Sequence, residues 1–474
     1  MRKIITFVTY TLVAFASNLI AGDRPNVLFF LVDDLGWTDL GCYGSKFYET
    51  PNVDALAKNG VRFTNAYAAC PVCSPTRHSI MSGKYPARSG CTNWGMHMDA
   101  SEVTIAEALK EGGYSTYFIG KWHLGGKWDG TDPDHTLPQC QGFDVNVGGG
   151  VNGQPASYFY PYGDGKRTRR FVVRGLKEGG TKGEYLTDRL GNEAVKLIER
   201  HDKKKPFFLY LSFYAVHTPL QGRPDLVAKY KKKVKTMTYS GPEFKQEGAK
   251  RMNQWQNSPI YAAMVQAVDE NVGKVLKAVE KRDMRKNTIV IFTSDNGGVA
   301  YYGSATANLP LRGSKGWLYE GGIREPMIVN WPEKIKPAVC KEPVISTDFY
   351  PTILDLVDLP KKPKQHLDGV SFAGLLDGSS GIAPRPLFWH YPHNHGSGSK
   401  AAAAIQMGKY KLIEFIAEAD KKPELYDLEN DLGESRDLAA TMPEMVQKLQ
   451  KQLHDWQEKV NARKYKGRIF RSRK

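Results

Sequence analysis

Cys73-Ser74-Pro75-Thr76-Arg77 sets a thiol, two hydroxyls and a guanidinium within five consecutive residues. Pro75 favours an extended conformation at Ser74 and then suits the first turn of a helix. Cys73 is therefore expected near a helix N-terminus, where backbone N–H groups and the helix dipole favour anions. Arg77 lies four residues on and returns to the same helical face, where it can hold the nucleophile or an anion. Alone, the stretch fits a buried or disulfide-bonded cysteine at a turn better than a reactive one, and it is the rest of the chain that reverses this.

Other polar groups stand where apolar runs end. Asn26 to Val32 reads as a buried central strand and stops at Asp33-Asp34. Open α/β sheets place ligands at such C-terminal strand ends. Two adjacent carboxylates there call for a cation, and hard oxygen ligands suit Ca²⁺ or Mg²⁺. A solvated turn is the competing reading. The strand from Tyr114 to Ile119 is followed by Gly120-Lys121-Trp122-His123. In an extended segment Lys121 and His123 point the same way, one to clamp an anion and the other to move a proton. The strand Pro206 to Phe213 leads to His217-Thr218-Pro219, and Thr288 to Thr293 leads to Ser294-Asp295-Asn296-Gly297. Gly313-Ser314-Lys315-Gly316 follows shortly after.

The elements that must position these groups alternate strand and helix, which predicts an α/β sheet with parallel character. Helices are expected from Thr50, over Val103 to Lys110, Tyr185 to Arg200 and Tyr261 to Lys281. Gly142 to Gly165, rich in glycine and aromatics, reads as an irregular insertion lining a substrate cleft. After Pro351 a Pro-, Lys- and Gly-rich linker runs to about Arg385. Short antiparallel strands are then expected at Leu387 to Tyr391, Ala404 to Met407 and Tyr410 to Phe415, before a helix over Pro443 to Val460. The expected division is residues 1–22 as signal peptide, 23–365 as catalytic domain, 366–460 as C-terminal subdomain and 461–474 as basic tail.

The chain has 474 residues, 41% hydrophobic and 24% charged, ordinary for a globular protein with one large and one small domain. Arg2 and Lys3 precede an apolar run from Ile4 to Ala16 and a small-residue end at Ala21-Gly22, the pattern of a secretory signal peptide. A periplasmic or secreted protein is the expectation, with no stable membrane span after cleavage. The net charge is +16, and residues 459–474 hold eight cations and no acid. A solvated tail is the first reading of that segment, and attraction to an acidic polymer the second. No nucleic-acid motif accompanies it. The six cysteines, at 42, 70, 73, 91, 140 and 340, lack a zinc spacing and assign no disulfide connectivity.

Together and in this order, Asp33-Asp34, Cys73 to Arg77, Gly120 to His123, His217 to Pro219, Ser294 to Gly297 and Gly313 to Gly316 resemble the formylglycine-dependent sulfatases, over nearly all of the chain after residue 22. Thr76 stands where that family more often has serine, and keeps the hydroxyl. The resemblance implies an alkaline-phosphatase-like α/β domain with a large, mostly parallel mixed sheet flanked by helices. A smaller C-terminal α+β domain would carry a four-stranded antiparallel sheet. It also implies that a maturation enzyme oxidises Cys73 to formylglycine, whose hydrated diol supplies the attacking hydroxyl. Asp33, Asp34, Asp295 and Asn296 would bind one Ca²⁺, touched also by an oxygen of the modified Cys73. Arg77, Lys121 and Lys315 would offset charge on the sulfate and the transition state. His217 would protonate the leaving alcohol, and His123 would take the proton of the second diol hydroxyl, expelling sulfate and restoring the aldehyde. A phosphate or phosphonate ester hydrolase on the same fold is the alternative enzyme, and an exported carbohydrate-binding pseudoenzyme the alternative of another class.

The family acts on aryl, steroid, choline and carbohydrate sulfates. The export signal and the many aromatics favour a sulfated polysaccharide or its oligosaccharides, since aromatic faces pack on sugar rings. Phe388 to Gly396, dense in aromatics and histidines, is expected to be a recognition loop between the domains. Trp389 would offer a ring face there, and His390, His393 and His395 donors to hydroxyl or sulfate groups. Their spacing suits a metal site poorly.

Overall fold

The computed structural model describes residues 24–125, 136–163, 171, 173, 175–176, 179–301, 303, 305–418 and 420–467. The expected signal peptide and the last seven residues of the basic tail lie outside them. Among the described residues, no helix is long and apolar enough to cross a membrane.

The strands, in chain order, are β1 (Asn26–Val32), β2 (Val61–Tyr67), β3 (Ser115–Gly120), β4 (Val145–Val147), β5 (Phe207–Ser212), β6 (Phe244–Glu247), β7 (Lys250–Asn253), β8 (Thr288–Ser294), β9 (Arg324–Asn330), β10 (Ala338–Cys340), β11 (Val344–Ile345), β12 (Leu387–Tyr391), β13 (Ala402–Met407), β14 (Tyr410–Glu414) and β15 (Glu424–Asp427). The large sheet runs β10-β2-β9-β8-β1-β5-β3-β4, with β11 also on β2. β1 is its centre, parallel to β5 and β8, with Val27 opposite both Phe208 and Ile289. Its unbroken apolar run is explained by burial on both faces. Leu28, Phe30 and Val32 pack on one side with the helices Leu186–Arg200 and Pro259–Lys281. Val27, Phe29 and Leu31 pack on the other with Ile80, Leu109 and Ile353.

Orientation decides what meets where. β3 is parallel to β5, so β1, β3, β5 and β8 all point one way. β9 is antiparallel to both β8 and β2, so β2 points with them too. The segments after these five strands therefore emerge at one edge, where doubly wound sheets bind ligands.

The expected antiparallel sheet is present as β12-β13-β14-β15, covered by the helix Pro443–Lys459. Phe372 and Leu376, from the expected linker, pack instead into the core of the large sheet. The small sheet meets the large domain through buried contacts. Trp389 Nε1 donates to Ala68 O at 2.8 Å. Lys411 Nζ on β14 lies 2.8 Å from Glu320 Oε1 and 2.9 Å from Glu434 Oε1, with all three side chains fully buried. Glu320 also binds Arg324. Removing one partner of such a cluster leaves buried charge uncompensated. Lys411→Met, measured by chemical denaturation, is expected to lose about 3–5 kcal/mol of stability.

Candidate active site

Cys73 is the first residue of α1 (Cys73–Ser82), which Gly83 ends at φ 67°. Ser74 is thus already inside the first turn, where the sequence predicted an extended residue. Thr76 Oγ1 donates to Cys70 O at 2.9 Å, closing the loop that enters the helix. Ser74 Oγ accepts from Gly95 N at 3.1 Å. The whole helix is buried.

The strand-end groups converge on it. A carboxylate oxygen from each of Asp33 and Asp295 and Cys73 Sγ lie within 4.8 Å of one another. Arg77 turns to the acids: Nε donates to Asp295 Oδ2 at 2.7 Å, and Nη2 lies 3.6 Å from Asp33 Oδ1. Its Nη1 donates to Lys121 O and to Ser212 Oγ, at 2.7 and 2.6 Å. Lys121 Nζ lies 2.6 Å from Asp33 Oδ2. Lys315 Nζ and Asn296 Nδ2 both donate to Asp34 Oδ1, at 2.5 and 2.7 Å. His217 Nε2 is 3.6 Å from Asp34 Oδ2, and His123 Nδ1 is 3.3 Å from Cys73 Sγ. Every predicted metal and catalytic residue is therefore in one cluster. Lys121, Asp33 and Asp295 are sealed, whereas the side chains of Lys315 and His217 keep 10% and 16% exposure, which marks the open side.

Backbone geometry supports the placement. Asp34 and His123 have φ of 61° and 58°, a strained region for non-glycine residues that recurs at functional sites. His123 reaches Cys73 through this turn and not through the extended alternation that the sequence predicted. Gly120, φ 98°, precedes Lys121 where a Cβ would sit 1.8 Å from Ser212 O, so only glycine fits. The insertion after Gly142 cradles both histidines. Gly153 lies against the His123 ring, and His123 N donates to Gly150 O at 3.0 Å. Tyr158 Oη lies 2.8 Å from His217 O.

The donor set fits a hard cation. Asp33 Oδ1 and Asn296 Oδ1 are buried and accept no hydrogen bond among the described residues. Burial, aided by the charges of Asp295 and Asp34, pushes the Asp33 carboxyl well above the usual range despite Lys121. Burial opposes ionisation of Asp34 and Asp295 too, but Lys315 holds the first below the usual range and Arg77 the second. Further positive charge at this point would relieve Asp33, and carboxylate and amide oxygens suit Ca²⁺. Burial raises the Cys73 thiol against the pull of Lys121 and Lys315, so the encoded cysteine is not a ready thiolate. Burial and then Lys121 keep His123 far below its usual value, as a neutral imidazole. Burial and Lys315 bring His217 to about 3, against Asp34.

The expected recognition loop divides. Trp389 is in the core, edge-on to Tyr67, and offers no face to a ligand. His390 is also buried, its Nε2 donating to Arg463 O at 2.8 Å and its Nδ1 accepting from Gln457 Nε2 at 3.1 Å. Both belong to β12, whose side chains are enclosed by the helix above and the large domain below. The sequence expectation for these two is thus corrected. His393 Nε2 bonds Thr92 Oγ1 at 2.9 Å. His395, half-buried, borders Gly316, next to Lys315. The three histidines have separate partners and form no metal site. All six cysteines are unpaired.

Sequence reasoning missed Ser212, Tyr158 and Asn308, whose amide N–H groups hold Gly298, Gly313 and Gly321 carbonyls around the Lys315 turn. Only the strand-end position of Ser212 carried a signal.

A sequence model of the sulfatase family matches residues 25–359. One described as N-sulphoglucosamine sulphohydrolase, C-terminal, matches residues 314–461. A protein named sulfatase from Formosa agariphila is 33% identical over 93% of this chain and 90% of its own. Arylsulfatase A of Homo sapiens is 30% identical over 95% and 91%. The solved structure of Ps i-CgsB in complex with k-i-k-neocarrahexaose superposes with a TM-score of 0.75 at 30% identity, covering 94% of this chain and 95% of that one. With its alkaline-phosphatase-like sheet and its antiparallel C-terminal sheet, the chain belongs to the sulfatase family and is an enzyme that hydrolyses sulfate esters.

Proposed function

We propose that this enzyme is exported and removes sulfate from a sulfated polysaccharide or its oligosaccharides, using formylglycine at Cys73 and one Ca²⁺. The observation that carries the reading is the buried cluster of Cys73, three acids and three cations, with Lys315 and His217 on its open side among the described residues. The hexasaccharide named for Ps i-CgsB supports a glycan substrate, and the pattern of residues 1–22 supports export.

Oxidised and hydrated, Cys73 supplies two hydroxyls on one carbon. One gives its proton to a neighbouring carboxylate, Asp33 and Asp295 each having an oxygen within 4.8 Å of Cys73 Sγ, and bonds the sulfate sulfur as the bond from sulfur to the sugar oxygen breaks. Asp33, Asp34, Asp295 and Asn296 would hold the cation, which when bound polarises the sulfate. Lys315, at the open side, meets the incoming sulfate, with Lys121 beneath it. Arg77 holds Asp295 and the Lys121 carbonyl in place. His217 stands at the entrance, where the sugar oxygen leaves, and donates its proton there. Bound sulfate acts on this imidazole oppositely to Lys315 and favours its protonated form. His123, neutral and 3.3 Å from the Cys73 side chain, accepts the proton of the second hydroxyl. The bond to sulfate then breaks, sulfate leaves and the aldehyde is restored. His395, whose ring lies against Gly316, would contact the sugar.

Sulfate released from a panel of sulfated glycans tests the substrate class. Loss of a general acid harms poor leaving groups most, so His217→Ala should slow glycan turnover about 10²–10⁴-fold and 4-nitrophenyl sulfate much less. No release from any glycan by an enzyme active on the aryl ester would overturn the polysaccharide reading.

A further inference from the structure

The segment expected as a solvated tail leaves the helix Pro443–Lys459 and runs along the rim of the small domain. Ala462 packs against the core there. His390 Nε2 donates to Arg463 O at 2.8 Å, and Asn394 Nδ2 donates to Tyr465 Oη at 3.1 Å. Asn394 is itself fixed, its Oδ1 accepting from Ala401 N at 3.1 Å. The segment is thus docked on the 390–395 loop by contacts at two points.

That loop leads straight to the site. His393 binds Thr92, and Tyr391 Oη donates to Asn93 Oδ1 at 3.1 Å. Gly95, two residues on, bonds the side chain of Ser74, beside Cys73. At its other end His395 borders the Lys315 turn. Burial and the Arg463 charge bring His393 to about 4, so this histidine is neutral and the positive charge of the rim comes from the docked segment.

Arg463 is half-buried, and Lys464 and Lys466 are exposed. Among the described residues none of the three has a carboxylate within ion-pair distance. No acid lies between residues 459 and 474 to neutralise them internally. Three cations with no carboxylate partner among the described residues, on a segment docked to the loop that reaches the site, complement a substrate with several anionic groups.

We propose that Arg463, Lys464 and Lys466 form an accessory binding strip for a second anionic group, a sulfate or carboxylate on a neighbouring sugar, while the scissile sulfate occupies the Cys73 site. This rests on the polysaccharide reading above. The strip attracts and registers the polymer and takes no part in bond breaking. A small aryl sulfate does not reach it.

Dextran sulfate serves as the probe because its binding does not depend on its being a substrate. Fluorescein-labelled dextran sulfate is titrated by anisotropy and, unlabelled, is used to inhibit 4-nitrophenyl sulfate turnover. R463A/K464A/K466A should weaken both binding and inhibition about tenfold at low salt and flatten their salt dependence, as expected for three lost phosphate-like contacts. Its kcat/KM for 4-nitrophenyl sulfate should stay unchanged. K464R/K466R should retain the wild-type values. K231A/K232A/K235A, which removes three exposed cations from another face, should have a much smaller effect. Equal weakening in that control, unchanged binding in the first variant, or parallel loss of aryl sulfate turnover would each overturn the strip. Failure of the wild type to release sulfate from any glycan would instead defeat the substrate reading, because binding is read independently of turnover.

Discussion

Replacing Cys73 by alanine is expected to leave a folded protein whose turnover of aryl and glycan sulfates falls by about 10⁴-fold or more, the scale set by removing a catalytic nucleophile. The side chain is small and buried at a helix start, so its truncation removes one sulfur atom from the packing. Cys73→Ser should recover little turnover. It keeps one hydroxyl, whereas collapse to an aldehyde needs a second on the same carbon. The alanine variant should unfold cooperatively, with a stability within about 1 kcal/mol of the parent, since only one buried atom is lost. Activity within tenfold of wild type in either variant would remove Cys73 from the mechanism.

Asp295→Asn should be nearly as damaging, by at least about 100-fold, since it takes the negative charge from a proposed metal ligand that is also the partner of the buried Arg77. Asp295 Oδ2 accepts Arg77 Nε at 2.7 Å, and its Oδ1 accepts Asp34 N at 3.1 Å. The loss of one negative charge leaves the buried Arg77 short of compensation and weakens the cation site together with it. EGTA should inactivate the parent enzyme, and Ca²⁺ should restore it. Calorimetric titration of the stripped protein should give one Ca²⁺ per chain, weakened strongly by Asp295→Asn. An EGTA-treated, metal-free enzyme with full activity would refute the metal assignment.

Much of this centre was legible because each group follows an apolar run. Asp33, Lys121, His217 and Asp295 stand past strands with apolar centres and no charged residue, so the first charged or imidazole group after each marks the ligand edge. The long helices were legible by their periodicity and fell within two residues of expectation. What failed were features set by distant contacts. β10, β11 and the β6–β7 hairpin are too short to show a period. Trp389 and His390 have the composition of a binding loop, but strand pairing with β13 and the helix above enclose them. Gly153 over His123 and Ser212 under Arg77 are ordinary residue types whose roles exist only once the strands are side by side. The docking of Arg463 and Tyr465 likewise depends on where β12 ends, which the charge of the segment does not reveal.

The state of Cys73 in active enzyme tests the central claim most directly. Trypsin should release the peptide Phe63 to Arg77, which holds both Cys70 and Cys73. Tandem mass spectrometry of protein with measured sulfatase activity should find the CH₂SH group of Cys73 replaced by CHO, with Cys70 unchanged as an internal control. The modified fraction should rise and fall with specific activity across preparations. Fully active enzyme in which the Cys73 position carries only the unmodified thiol would contradict the account.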